Sequence, residues 1–223
     1  NAINCTRGRA IRSLSDLLWT NKDIYYQNKE KIDQLLKSEN TYIKYAILYL
    51  LWPIYNYDRE WATGAILDIY EADYRTIGFY DSRQMLCLCY ENNTQLINSL
   101  LFEAFNSDDD RLIRISGATI VELNLIKGAF GDIYDLYSQY DKNHRKPMLE
   151  MLIVYFNVNK FREKTKEILN KIIRIEDDRD NEFLWGRLFS DKLVDPVKDK
   201  ELIELILCSK IKKNIIGHFS DYI

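Results

Sequence analysis

Short polar breaks divide this chain into apolar segments of helical period, and the stretch Leu35–Glu71 sets the pattern. Its opening Ser38-Glu39-Asn40-Thr41 offers side-chain oxygens to the unpaired first-turn N–H groups of a helix. Ile43, Ala46, Ile47, Leu50 and Leu51 then follow at helical spacing. Pro53 ends or kinks that helix, because it has no N–H to donate and disfavours the helical conformation at Trp52. Asp58 is placed to cap a second helix, in which Ala62, Ala65, Ile66, Ile69 and Tyr70 share one face while Arg59, Asp68 and Glu71 fall on the other. One such pair cannot bury its apolar stripe alone, whereas stacked neighbours can.

About six pairs of this kind fit end to end, each roughly 32–38 residues long, the period range of helical solenoids. The first pairs a helix over Ile3–Trp19, with Ala10, Leu14, Leu17 and Leu18 inward and Gly8 allowing close approach, with a short partner over Gln27–Lys37. The third has helices near Ser82–Tyr90 and Thr94–Phe105, split by Glu91-Asn92-Asn93. The fourth runs from Asp108 to about Asp141, divided at Gly128 and Gly131. The fifth covers Lys142–Asp177, with Pro147 expected in an opening helical turn, where a missing N–H matters little. The sixth, Asp178–Ser209, holds a short helix containing Trp185 and another over Val197–Leu207 after Pro196. Residues 211–223 read as a terminal helix or the start of a further repeat, and Asn1-Ala2 as the remnant of a cleaved tag. On this reading residues 3–210 form one repeat domain, a piece excised from a longer protein.

Composition agrees with an all-α chain. Only 8 Gly and 3 Pro in 223 residues leave too few turn formers for an all-β fold. A formal net charge of -3 supplies no overall pull toward nucleic acid or an anionic membrane. The densest apolar run, Tyr45–Tyr57, is shorter than the ~18–20 residues that span a bilayer.

No residue set spells out a reaction. Cys5, Cys87, Cys89 and Cys208 lack the paired spacing of a zinc site and read as buried thiols of a reducing, cytoplasmic compartment. His144 falls in the basic run Lys142–Lys146, expected to be a solvated loop, and neither it nor His218 has a metal-binding partner at helical spacing. The acidic clusters Asp108-Asp109-Asp110 and Glu176-Asp177-Asp178 with Asp180 fall where helices break and start, and read as caps or linkers. No phosphate-binding glycine motif or nucleophile elbow is present in the sequence. These readings imply no cofactor, no metal and no catalytic residue.

Two features point to contact surfaces instead. Between Lys142 and Arg174 nine bases outnumber the acids Glu150, Glu163 and Glu167, and Phe161–Arg174 presents Arg162, Lys166, Lys171 and Arg174 on the side opposite Phe161, Thr165, Ile168, Leu169 and Ile172. That polar face is either plain solvated surface or a site for an acidic protein or a phosphate backbone. Tyrosines crowd the segment Tyr25–Tyr90, where they either fill gaps between helices or form a contact surface.

An internal echo links Leu36–Tyr49 to Ala104–Leu123: Ser and acidic residues, an aliphatic-basic pair (Ile43-Lys44; Ile113-Arg114), then a small residue (Ala46; Gly117-Ala118). This resembles the boundary of HEAT-type repeats. Thr6-Arg7-Gly8-Arg9-Ala10, Leu35-Leu36, Asn40–Ala46, Asp58-Arg59-Glu60-Trp61-Ala62 and Phe105-Asn106-Ser107 ahead of Gly117-Ala118 are similar to the helical-repeat C-terminal region of large bacterial STAND or NACHT-like ATP-binding proteins. The resemblance covers most of Ile3 to about Leu207, with Tyr42, Tyr45 and Tyr49 standing where smaller helix residues are usual. It implies a right-handed α-solenoid of about six HEAT-like antiparallel helix pairs that senses or binds a ligand, usually a protein, while separate domains bind ATP and act as effector. The expected function is non-catalytic protein interaction, with Arg162, Lys166, Lys171 and Arg174 as contact residues. The alternative is a nucleic-acid-binding module that uses the basic stretch 142–174.

Overall fold

The computed structural model describes residues 6–177, 181–212 and 215; Asn1-Ala2, Cys5, Asp178, Asp180, His218 and most of 211–223 lie outside them. The fold is all-α, without a strand among the described residues. The chain divides into two compact units, Asn1–Asn106 and Ser107–Ile223.

The first unit contains α1 (Thr6–Thr20), α2 (Lys22–Leu36), α3 (Thr41–Ile54), α4 (Arg59–Ala72), a 3-10 turn (Tyr74–Gly78), α5 (Ser82–Cys89) and α6 (Thr94–Phe105). The expected caps form: Asn40 accepts from the N–H groups of Tyr42 and Ile43, and Asp58 from that of Trp61. The predicted inner face of α4 is buried, joined by Leu67. In α1 the inner face is turned from the expected one. Gly8, Ile11, Ser15 and Leu18 are buried, while Leu17 is 53% exposed. The reason is that α1 packs on α3 through its small residues, and Ser15 Oγ donates to the Tyr49 carbonyl at 2.6 Å. That carbonyl sits four residues before Pro53, which has no N–H to offer it, so Ser15 replaces the missing helical donor. The helix therefore continues through Pro53 to Ile54. The 3-10 turn, which the hydrophobic period does not announce, packs against α3, α4, α5 and α6 and buries Thr76, Ile77 and Gly78.

The second unit contains α7 (Asp110–Lys127), α8 (Ile133–Gln139), α9 (Lys142–Phe156), α10 (Arg162–Ile172), α11 (Glu182–Ser190) and α12 (Lys200–Cys208). Asp109 caps α7, as the acidic cluster there implies, and Gly128 closes it in the left-handed conformation at φ 71. Pro147 is not in an opening turn but sixth in α9, so the Asn143 carbonyl has no helical donor; Asn143 is exposed and water can serve it. His144 lies in the first turn of α9 rather than a loop, its Nδ1 2.7 Å from the capping Asp141 and its ring beside Tyr140. Helices two apart pack on each other, α7 on α9, α8 on α10, α9 on α11 and α10 on α12.

Within each unit, side-chain hydrogen bonds between helices recur at similar sequence separations. In the first unit Tyr25 reaches Asp58, Thr41 reaches Asp73, Tyr45 reaches the Gly78 carbonyl and Tyr57 the Leu18 carbonyl, at separations of 33, 32, 33 and 39 residues. In the second, Tyr155 reaches Glu122, Lys171 reaches Asp132 and Arg162 reaches Asp199, at 33, 39 and 37. Many of the crowded tyrosines thus serve packing: Tyr25 and Tyr70 are wholly buried, although Tyr26, Tyr42 and Tyr80 stay exposed.

Candidate functional site

Helix α10 carries Arg162, Lys166 and Lys171 of the four bases singled out in the sequence, Arg174 follows two residues past its end, and the neighbours of α10 divide the four into two pairs. Thr165, Ile168, Leu169 and Ile172 anchor its inner face as the pattern predicts, with Phe161 half-buried at the N-cap. Arg162 and Lys166, expected in solvent, turn instead toward the segment before α12. Arg162 Nη2 donates to Asp199 Oδ2 at 2.5 Å and to the Leu193 carbonyl at 2.7 Å, and its Nη1 donates to the Phe156 carbonyl at 3.1 Å. The guanidinium also stacks on the Phe156 ring at 4.0 Å. Asp199 is 1% exposed, and its Oδ2 also accepts the Asp195 N–H. Lys166 Nζ lies 2.8 Å from Glu163 and 3.6 Å from Asp199, and the Glu163 bond raises its pKa. Arg162 is thereby a clamp between α9, α10 and the Leu193–Asp199 segment.

Lys171 and Arg174 point the other way, into a cavity of about 510 Å³ between α8 and α10 lined by Asp132, Tyr134, Asp135, Asn170, Lys171 and Arg174. Lys171 Nζ donates to Asp132 Oδ2 at 3.0 Å and lies 6.0 Å from the Tyr134 ring centroid. That bond, followed by the Tyr134 N–H, holds the Asp132 carboxyl below its ordinary pKa. Arg174 Nε donates to the Asn170 carbonyl at 3.2 Å and otherwise faces solvent, whereas the Asn170 side-chain oxygen is buried with no hydrogen-bond partner. The site combines two cations, two carboxylates, an aromatic ring and an amide. It can bind a segment of mixed charge through directional hydrogen bonds. The sequence reading missed Asp132, Tyr134 and Asp135, although the 39 residues between Asp132 and Lys171 are about one repeat and could have paired them.

The remaining candidates separate cleanly. Glu176 is no cap or linker: at 2% exposure it accepts from Tyr137 Oη at 2.6 Å, Asn181 Nδ2 at 3.2 Å and Trp185 Nε1 at 3.5 Å. The thiols are not uniformly buried, because Cys89 is buried, Cys87 half-buried and Cys208 exposed. Among the described residues no group of three His, Cys, Asp or Glu side chains is placed to hold a metal ion, and no helix is long and apolar enough to cross a membrane. Comparisons with protein-family profiles, curated proteins and solved structures found no match to this chain.

Proposed function

We propose that this chain is a non-catalytic scaffold for protein interaction or ligand sensing, and that within each unit it is built as a right-handed stack of HEAT-like helix pairs. The observation that carries this reading is the set of side-chain bonds spaced 32 to 39 residues apart, joining helices one repeat distant. The packing of each helix on the next but one in the second unit supports it as well. Stacked pairs present grooves along their second helices, and α8 and α10 line such a groove. By resemblance, the chain is the cytoplasmic sensor portion of a larger bacterial STAND or NACHT-like ATP-binding protein with a defence or signalling role.

A protein partner fits better than nucleic acid. Arg162, Lys166 and Lys171 each have a carboxylate partner, and Asp132 and Asp135 line the same cavity as Lys171 and Arg174. A phosphate backbone would meet those carboxylates as like charges. The test is a pull-down from native bacterial lysate with the full chain and a Lys171→Glu/Arg174→Glu variant as parallel baits. A protein retained by the first and lost from the second supports the reading. Nuclease-sensitive nucleic acid as the sole specific capture overturns it in favour of the alternative.

A further inference from the structure

The cavity between α8 and α10 holds a group that the fold does not use. Asn170 stands in the last turn of α10, one turn before Arg174, and both line the cavity. The Asn170 backbone carbonyl accepts from Arg174 Nε. Its side-chain amide makes no hydrogen bond among the described residues, and the amide oxygen is buried. A buried acceptor without a donor costs stability, because it has given up water and gained nothing in return. Asparagine is also a poor residue for a helix interior. Alanine would serve the fold better at this place, so the amide is left to a ligand.

The charges around Asn170 narrow the chemistry of that ligand. Lys171 and Asp132 pair with each other. Arg174 is held through its Nε, which leaves both Nη groups as a fork, and among the described residues it has no ion pair. The Asp135 carboxylate, which lines the cavity from α8, likewise has none. One cation and one anion therefore stay open beside an amide, in a cavity whose volume of about 510 Å³ is that of a ligand site. A side-chain amide carries one acceptor and one donor group side by side, the pair that a peptide residue also presents. In an extended chain the N–H and C=O of one residue point to the same side, which is why two residues of an antiparallel pair exchange both bonds. An amide can make both bonds in the same way.

We propose that Asn170 reads the backbone of an extended segment of a protein partner. Its Oδ1 accepts the N–H of one partner residue, and its Nδ2 donates to the C=O of that same residue. The terminal torsion of an asparagine side chain is broad, so a partial turn brings the oxygen out into the cavity. An acidic side chain of the segment seats on the Arg174 fork, and a basic one faces Asp135. This inference deepens the protein-interaction reading above and rests on it.

The test uses two capped tripeptides, N-acetyl-Glu-Ala-Lys amide and N-acetyl-Lys-Ala-Glu amide, titrated into the ¹⁵N-labelled full chain. The side-chain NH2 signals of Asn170 are assigned by their loss in Asn170→Ala. The expected result is a saturable shift of those signals with at least one peptide. Binding should be about fivefold weaker when lactic acid replaces the peptide's alanine, an exchange that removes the one N–H and keeps the C=O. It should be about threefold weaker in Asp135→Asn/Arg174→Gln, as two exposed charge contacts imply. Asn170→Ala should unfold in urea at the original midpoint or above it, since no bond within the fold is lost. No shift with either peptide, undiminished binding of the lactic-acid peptide, or a lower midpoint for Asn170→Ala overturns the inference. If both peptides fail while the pull-down still yields a protein lost from the Lys171→Glu/Arg174→Glu bait, only the role of Asn170 falls.

Discussion

The Tyr49 carbonyl loses its helical donor to the Pro53 ring and takes a hydrogen bond from Ser15 Oγ instead. Ser15→Ala should therefore lower stability by about 1–2 kcal/mol, since it strands a partly buried acceptor. In a Pro53→Ala background residue 53 regains its N–H, and the same change should be nearly neutral. A urea-denaturation double-mutant cycle reads the difference, and equal losses in both backgrounds would show that Ser15 acts only through packing. A second residue-scale device is the triad Tyr25, Lys29 and Asp58. Hydrogen bonds from Lys29 and Tyr25 lower the Asp58 pKa, so its contribution is present above the ordinary 3.8 and lost as pH falls through the lower folded value. Burial raises Tyr25 from 10.0 to about 12, so its contribution is complete below 10 and lost as pH rises through about 12. Melting temperatures across pH should fall at both extremes. Asp58→Asn should flatten the acid limb and Tyr25→Phe the alkaline one; unchanged limbs would remove the triad as their cause.

At the scale of elements, the polar residues of α10 are not equivalent, and stability should reveal it. Arg162→Ala leaves Asp199 buried without its closest cation, and should cost about 3–5 kcal/mol. Lys171→Ala and Arg174→Ala touch only exposed groups and should stay within about 0.5 kcal/mol of the original. Chemical denaturation of the three variants measures this directly, and an Arg162→Ala as mild as the others would return Arg162 to the surface face. The hydrophobic period supplied the inner face of α10 but could not show that Asp199, 37 residues on, is buried beside Arg162. For α4 the period and the Asp58 cap sufficed, because its inner positions are all apolar and no large aliphatic residue competes for its outer side. For α1 they did not: Ala10, Leu14 and Leu17 and the true stripe Gly8, Ile11, Ser15 and Leu18 compete for the same helix, and a bond to Tyr49 decides. Glu176 was misread for the same reason. Its acidic neighbours in sequence suggested a cap, while its donors Tyr137, Asn181 and Trp185 come from other elements.

Across the whole molecule, the local excess of base in 142–174 sits within a chain of net charge -3. Of its nine bases, Arg145, Arg162, Lys166 and Lys171 lie within ion-pair distance of a carboxylate, so at least four of nine already have an anion. A phosphate backbone could recruit those four only by displacing Asp177, Asp199, Glu163 and Asp132. If all nine reached phosphates on duplex DNA, the logarithm of affinity would fall with that of salt at a slope of about -8. The arrangement of charges instead predicts weak binding at low salt with a slope no steeper than about -4.5, the figure for the five bases that are not among those four. Fluorescence anisotropy with a labelled duplex over a range of salt concentrations gives the slope. A value near -8 would mean that the internal pairs open to meet DNA, and it would move the nucleic-acid alternative ahead of the protein scaffold. A shallow slope, unaltered by Lys171→Glu/Arg174→Glu, would leave those two residues to a partner whose charge is mixed like their own cavity's.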